Sequence, residues 1–188
     1  NWVHEWGVTT DHILCQVVDQ LARGYAQTLT KRGLLVRTPT ESAGFERGVP
    51  KYFYTLSKTG LAEAERHVLA PMQYPEINVR KVSQKLLHHN FVAQQITCDV
   101  SDRLVGKKFF SDRRLATRMA GKHKRPDAVL FFKDAKLAIE VELTGKFERD
   151  LDQFIFGIDQ TLNEEDESIR VDFFYIFSDS KALLERYK

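Results

Sequence analysis

Cysteine is scarce in this sequence, and the little there is forms no motif. Cys15 and Cys98 are the only two among 188 residues, far apart and in neither a C-x-x-C nor a C-x-x-x-H context. That argues against a disulfide framework and against a zinc site, and leaves two buried structural thiols as the expectation. Long apolar runs are missing too. The longest, residues 128–132 and 173–177, fall far short of the roughly 20 residues needed to cross a bilayer, and no secretory n-region precedes them. A cytoplasmic chain with no membrane segment is expected. Neither charge dominates: 28 Lys and Arg against 26 Asp and Glu leave a formal +2, and 43% of residues are hydrophobic, which excludes a disordered polyelectrolyte tail. An initiator Met is absent as well. Residues 2–6 read as the end of a helix whose beginning is missing, so a piece of a longer protein is expected.

What is present is aromatic. Thirteen Phe and six Tyr can furnish a core for one large or two small domains. Thr9 and Thr10 offer N-caps for a helix over 11–18, and a second helix over 25–31 stops at Gly33. A strand over 34–38, a polar loop over 39–50, a returning strand over 51–56 and a helix over 61–69 follow. The phrases at 26–35 (AQTLTKRGLL) and 51–60 (KYFYTLSKTG) resemble the recognition helix and second wing strand of winged-helix DNA-binding proteins. That resemblance assigns residues 1–70 to a winged-helix DNA-binding domain. Arg23, Tyr25, Gln27 and Lys31 would face a major groove, and Arg47 in the wing a phosphate backbone. The alternative use of such a domain is a dimer or protein contact.

Prolines 71 and 75 discourage both helix and central strand and mark residues 71–75 as a linker. In the remainder, 76–188, Val79, Val82, Leu86, Ala93 and Ile96 trace one face of a long helix. An extended stretch to about 115, strands over 128–132 and 137–143, a helix over 147–162, a buried strand over 171–177 and a last helix over 181–187 complete the order α-β-β-β-α-β-α. The expected fold class is mixed α/β (α+β).

Asp127 opens one strand, and Glu140 and Glu142 close its hairpin partner with a period of two, so both glutamates share one face beside Asp127. Three hard oxygen ligands there suit Mg²⁺ or Mn²⁺, which would polarise a phosphate and activate water. The alternative is a solvated edge strand with Asp127 capping a turn. Against it, Ala138, Ile139, Val141 and Leu143 are apolar almost without alternation, as in a strand covered on both sides.

Pro126-Asp127 and Glu140-Val141-Glu142 resemble the PD and (D/E)xK elements of the restriction-endonuclease-like nucleases, whose core has the same element order. Glu142 stands where those nucleases have a catalytic lysine, so the resemblance leaves Lys146, or with less support Lys124, to supply the cation. A winged helix ahead of such a domain, together with Glu-x-Glu and the His-bearing segment 87–91 (LHHNF), resembles the replication-relaxation family and the MobC-type relaxases of bacterial mobilizable plasmids. That likeness implies a divalent-metal nickase acting on one DNA strand at a transfer origin, with accessory mobilization proteins as further partners and without a tyrosine nucleophile.

The helix stripe puts His89 on or beside the face turned to the sheet, where it would serve as general base or phosphate donor, or simply as a satisfied core residue. From 103 to 125 nine Lys or Arg stand against the single Asp112. Lys122, Lys124 and Arg125 would there hold phosphates against the metal site, unless the segment is only a solvated loop. The expected catalytic set is Asp127, Glu140, Glu142, His89 and Lys146. The alternative function is a DNA-binding regulator of plasmid replication or transcription that keeps a nuclease-like fold without cleavage.

Overall fold

The computed structural model describes residues 1–19, 23–68, 71–104, 108–119 and 124–187. Among them the chain is mixed α/β, with eight α-helices and two separate sheets, and it forms two compact units, Asn1–Cys98 and Asp99–Lys188.

The first unit contains α1 (Trp2–Trp6), α2 (Asp11–Val17), α3 (Tyr25–Lys31), β1 (Leu35–Pro39), β2 (Tyr52–Leu56) and α4 (Lys58–Glu65). Thr10 caps α2 as its position suggests, its hydroxyl accepting the Ile13 N–H at 3.1 Å. The cap of α3 comes from further away. Asp11, at the start of α2, accepts the N–H groups of Gly24 and Ala26 at 2.7 and 2.8 Å, so one carboxylate fixes the entry of the second helix relative to the first. Strands β1 and β2 pair antiparallel, Leu35 opposite Leu56, and Thr9 adds a one-residue bridge to Tyr54 that the sequence does not announce.

Helix α4 begins earlier than the expected residue 61. The Ser57 hydroxyl accepts the Gly60 N–H at 2.9 Å, and a Cβ at Gly60 would lie 1.9 Å from the Leu34 carbonyl oxygen. Only glycine lets helix and strand approach so closely.

The proline segment expected to be a linker is built into this unit. Tyr74 is buried, and its hydroxyl accepts the Leu56 N–H at 3.0 Å and donates to the Gly7 carbonyl at 2.7 Å. The units part instead at Cys98, inside α5 (Leu87–Leu104). Residues 79–86, expected as part of this helix, are short 3-10 turns. Leu86 is consequently exposed, and the buried positions of α5 are Leu87, Phe91, Ala93, Gln94, Thr97 and Cys98. Fully enclosed Gln94 accepts from the Trp2 indole and donates to the Val8 carbonyl, each at 2.9 Å, which ties the helix to the N-terminal segment. Both cysteines are buried free thiols.

The second unit is built on β3 (Lys108–Ser111), β4 (Ala128–Phe131), β5 (Lys136–Val141) and β6 (Phe173–Phe177), with α6 (Asp112–Leu115), α7 (Glu148–Leu162) and α8 (Lys181–Leu184). The sheet order is β3-β4-β5-β6, antiparallel at the first two junctions and parallel at the last. A parallel pair needs a crossover, and α7 supplies it. Leu115, Met119, Val129, Ala138 and Val171 form the core cluster.

Two expectations are corrected here. Strand β6 is not buried, because it is the sheet edge and turns Phe173 and Tyr175 to the exterior. Helix α7 buries Phe154, Gly157 and Thr161, not the whole apolar stripe. The small residues allow close approach, with the Lys124 N–H reaching the Gly157 carbonyl at 3.1 Å, and this rotation leaves Ile155 and Phe147 exposed.

Candidate functional site

The β4–β5 hairpin sets the three carboxylates. Asp127 immediately precedes β4 and accepts the Val141 N–H at 2.8 Å, so its carboxylate holds the end of the neighbouring strand. Glu140 lies within β5, paired with Ile176 across the parallel junction. Glu142 follows β5 and donates its N–H to the Phe177 carbonyl at 2.8 Å. Both glutamates are buried, at 3% and 5% exposure, which overturns the solvated-edge alternative.

Glu140 is the strained member. One oxygen, Oε1, lies 2.6 Å from Lys124 Nζ. The other, Oε2, is buried without a hydrogen-bond partner among the described residues. Burial pushes this carboxyl up to about 8, the negative charge of Asp127 adds to the rise and Glu142 contributes less, while Lys124 opposes them. The carboxylates therefore interact electrostatically, as their spacing suggests.

Glu142 is held from two sides. The Lys146 ammonium bonds one oxygen, and the Tyr187 hydroxyl donates to the other at 3.2 Å. Burial, followed by the Glu142 charge, raises the Tyr187 phenol above its usual value. Buried Phe154 joins these groups: Lys146 Nζ lies 4.5 Å and Lys124 Nζ 5.6 Å from its ring centre, and the Tyr187 ring 5.3 Å away. Sequence reasoning missed Tyr187 and saw Phe154 only as one member of an apolar stripe. No local pattern marks a residue that reaches a site across such a sequence separation.

The expected phosphate contacts fare differently. Lys124 bonds Glu140, and Arg125 pairs through Nε with Asp112, so both are engaged within the protein. Lys122 lies outside the described residues. Among the described residues no three His, Cys, Asp or Glu side chains form a metal-holding group. Glu140 Oε2, buried with no hydrogen-bond partner among the described residues, is a hard oxygen donor of the kind that Mg²⁺ or Mn²⁺ takes.

His89 lies half-buried on α5 in the first unit, whereas the carboxylates belong to the second. Its neighbour His88 packs its ring against Gly48, where a Cβ would stand 2.6 Å from Nε2. In the same unit Gln27, Lys31 and Arg47 are exposed, while Tyr25 packs against the core. Arg23 and Arg47, far apart in sequence, line one cavity of about 820 Å³ together with Lys51 and Tyr52. The Arg37 guanidinium stacks 4.5 Å above the Tyr52 ring, a cation the motif reading did not single out. Compared with known proteins, the chain matches no family model, no curated protein and no solved structure.

Proposed function

We propose that this chain is a metal-dependent DNA nickase, in which a winged helix in the first unit binds DNA and an endonuclease-like core in the second cleaves one strand, at a plasmid transfer origin as in the relaxases its sequence resembles. The observation that carries the reading is Glu140: a buried carboxylate beside Asp127 and Glu142, with one oxygen on Lys124 and the other without a hydrogen-bond partner among the described residues. Such a group costs stability in an apoprotein, and functional sites are where costs of this kind concentrate. Helices α1, α2 and α3, then β1, a loop and β2, ahead of α4 support the winged helix, and the β3-β4-β5-β6 order with its α7 crossover supports the nuclease-like core.

Asp127, Glu140 and Glu142 would hold Mg²⁺ or Mn²⁺, which when bound supplies polarisation of the scissile phosphate and a more acidic water. The chain's own contribution is positional. Lys124 and Lys146 keep two positive charges beside the carboxylates where no lysine follows Glu140-Val141, and Phe154 holds both against an apolar ring. The test is relaxation of supercoiled plasmid carrying a transfer origin, with and without Mg²⁺ or Mn²⁺, beside Glu140→Ala. Metal-dependent open circles that vanish in the variant are expected.

One observation favours a second reading, a DNA-binding regulator: Glu140 and Glu142 already have internal cations in Lys124 and Lys146. Tight, salt-sensitive binding of the same DNA with no nicking in either metal would establish it.

A further inference from the structure

The start of α2 leaves a short stretch of backbone edge open in the first unit. Thr9 and Tyr54 exchange both of their bonds, the Thr9 N–H reaching the Tyr54 carbonyl at 3.0 Å and the Tyr54 N–H the Thr9 carbonyl at 2.9 Å. Had the chain continued as a strand, Asp11 would stand opposite Tyr52. Instead Thr10 caps α2 and the helix turns away from the sheet. Alternation gives Tyr52 the same edge as Tyr54, and among the described residues β1 is the partner strand of β2 on its other side, so the Tyr52 N–H and C=O face the gap. The opening is too short for an added peptide strand. The next residue on that edge, Pro50, has no N–H, and its carbonyl already accepts the Thr40 hydroxyl at 2.8 Å. What remains is one donor beside one acceptor, the count that a single base edge can use.

This gap belongs to the cavity of about 820 Å³, a size within the range of about 300–1,000 Å³ for cavities that enclose small ligands and too small for a duplex. Arg23, Arg47 and Lys51 line it, all exposed and in no ion pair among the described residues. The acids of its lining are Asp11 and Glu46, and both Asp11 oxygens are taken by the Gly24 and Ala26 N–H groups. The balance favours an anionic occupant, and Arg37, 4.5 Å from the Tyr52 ring, adds a further positive charge. Phe45 lines the same cavity at 94% exposure, so its ring is open to a base. The loop that carries it is fixed. The Phe45 N–H bonds the Ser42 carbonyl at 2.8 Å, the Thr40 N–H the Lys51 carbonyl at 3.0 Å and the Glu41 N–H the Gln84 side chain at 3.2 Å.

We infer that this cavity takes an unpaired nucleotide of a DNA strand, its base on the Phe45 ring and the Tyr52 backbone and its phosphates on Arg23, Arg47 and Lys51. Stacking on an aromatic ring beside cations is how single strands are held without regard to sequence, and a guanidinium presents paired N–H groups to a phosphate. A base within a duplex has its pairing edge engaged, so the cavity selects an unpaired one. This rests on the DNA reading of the first unit and adds to it the state of the strand that is bound.

The test measures binding of fluorescent DNA by the full chain across a salt series, with three probes: a thymine oligonucleotide, a strand of the same length made of abasic sites, which carries the same phosphates, and a paired duplex. Wild type should bind the thymine strand roughly tenfold or more tightly than the abasic strand, with a similar salt slope for both. Phe45→Ala should erase that difference while melting as wild type does, since the ring is almost wholly exposed. If Phe45→Ala does not fold, Phe45→Leu, which keeps an apolar side chain without a ring, takes its place with the same expected loss. Arg47→Gln should keep the difference and make the slope shallower by about one. Equal affinity of wild type for the two strands, or binding confined to the duplex, overturns the cavity and leaves the DNA reading standing. A thymine preference that survives the loss of the Phe45 ring places the base elsewhere and overturns the cavity as well. If dTMP alone binds as tightly as the thymine strand, the cavity is a small-molecule site and its assignment to DNA is overturned. No salt-sensitive binding of any of the three probes overturns the DNA reading and the cavity with it.

Discussion

Lys124 Nζ stands 2.6 Å from Glu140 Oε1, and this pair reorganises the reading of the basic segment that precedes Asp127. A lysine expected to hold DNA instead partly offsets the charge of a buried glutamate. The pair is incomplete as a neutralising device, because Glu140 still sits at about 8 with Asp127 and Glu142 adding to the negative field. One cation thus serves a cluster of three acids from the Glu140 side, while Lys146 serves it from the Glu142 side.

Glu140 makes stability depend on pH with a defined sign. Its folded-state value near 8 lies above the ordinary 4.5, so between those values the folded chain keeps a proton that the unfolded chain releases. Stability therefore falls as pH rises across this window and levels off above it. At about 1.4 kcal/mol per pH unit the loss amounts to a few kcal/mol. Glu140→Gln should remove this dependence, so its melting temperature approaches or exceeds that of wild type toward pH 9 and differs little near pH 5. Under the metal reading, Mg²⁺ or Mn²⁺ at high pH raises the wild-type melting temperature and leaves Glu140→Gln unmoved. Parallel melting curves for both proteins at every pH would refute the assigned charge state.

Local signals were legible and distant ones were not. Thr10 as a cap, Gly33 as a stop and the Asp127/Glu140/Glu142 hairpin all depend on neighbours in sequence or on a period of two, and the structure places them as that logic requires. The linker failed because proline reports only backbone preference. What decides the boundary is the Tyr74 hydroxyl meeting Leu56 and Gly7, contacts between segments remote in sequence. The stripe on α7 misled because apolar spacing cannot show that Gly157 and Thr161 give the closer approach. Tyr187 and Phe154 at the site are likewise products of tertiary contact.

Tyr74 gives a direct test of where the first unit ends. A fragment of residues 1–98 should unfold cooperatively, whereas residues 1–70 should not, since the shorter piece loses Tyr74 and the N-terminal part of α5 with its buried Gln94 bonds. In the full chain Tyr74→Phe leaves the Leu56 N–H and the Gly7 carbonyl without their partner, at a cost of about 1–3 kcal/mol. Denaturant unfolding monitored by tryptophan fluorescence measures both. Equal cooperativity of the two fragments would put the boundary back at the prolines.

Gly60→Ala should destabilise the first unit by at least about 2 kcal/mol, because the added Cβ would stand 1.9 Å from the Leu34 oxygen and must push β1 and α4 apart. Gly33→Ala provides the contrast. Its Cβ meets nothing within 4 Å, and its cost comes only from a backbone φ of +72°, about 1 kcal/mol. The ordering of the two variants in urea unfolding is the prediction. A Gly33→Ala cost larger than that of Gly60→Ala would show that strand and helix are not in such close contact.

Lys124 and Lys146 compete for the role of the lysine that does not follow Glu140-Val141. Both ammonium groups touch a carboxylate and the Phe154 ring, but Lys124 reaches Glu140, whose second oxygen has no hydrogen-bond partner among the described residues, whereas Lys146 shares Glu142 with the Tyr187 hydroxyl. Removing Lys146 leaves Glu142 with a neutral donor. Removing Lys124 leaves Glu140 with no positive partner among the described residues. Under the nickase reading, Lys124→Ala should lower the rate of plasmid nicking by about a hundredfold or more, the scale for loss of one fixed charge at a reacting phosphate, and Lys146→Ala should lower it less. DNA affinity should change little in Lys124→Ala, because its ammonium faces Glu140 and not solvent phosphates. Nicking rates and binding constants measured on the same preparations separate the two roles. A Lys124→Ala protein that nicks at the wild-type rate but binds DNA more weakly would return Lys124 to the phosphate-holding role that its place in the basic segment suggested.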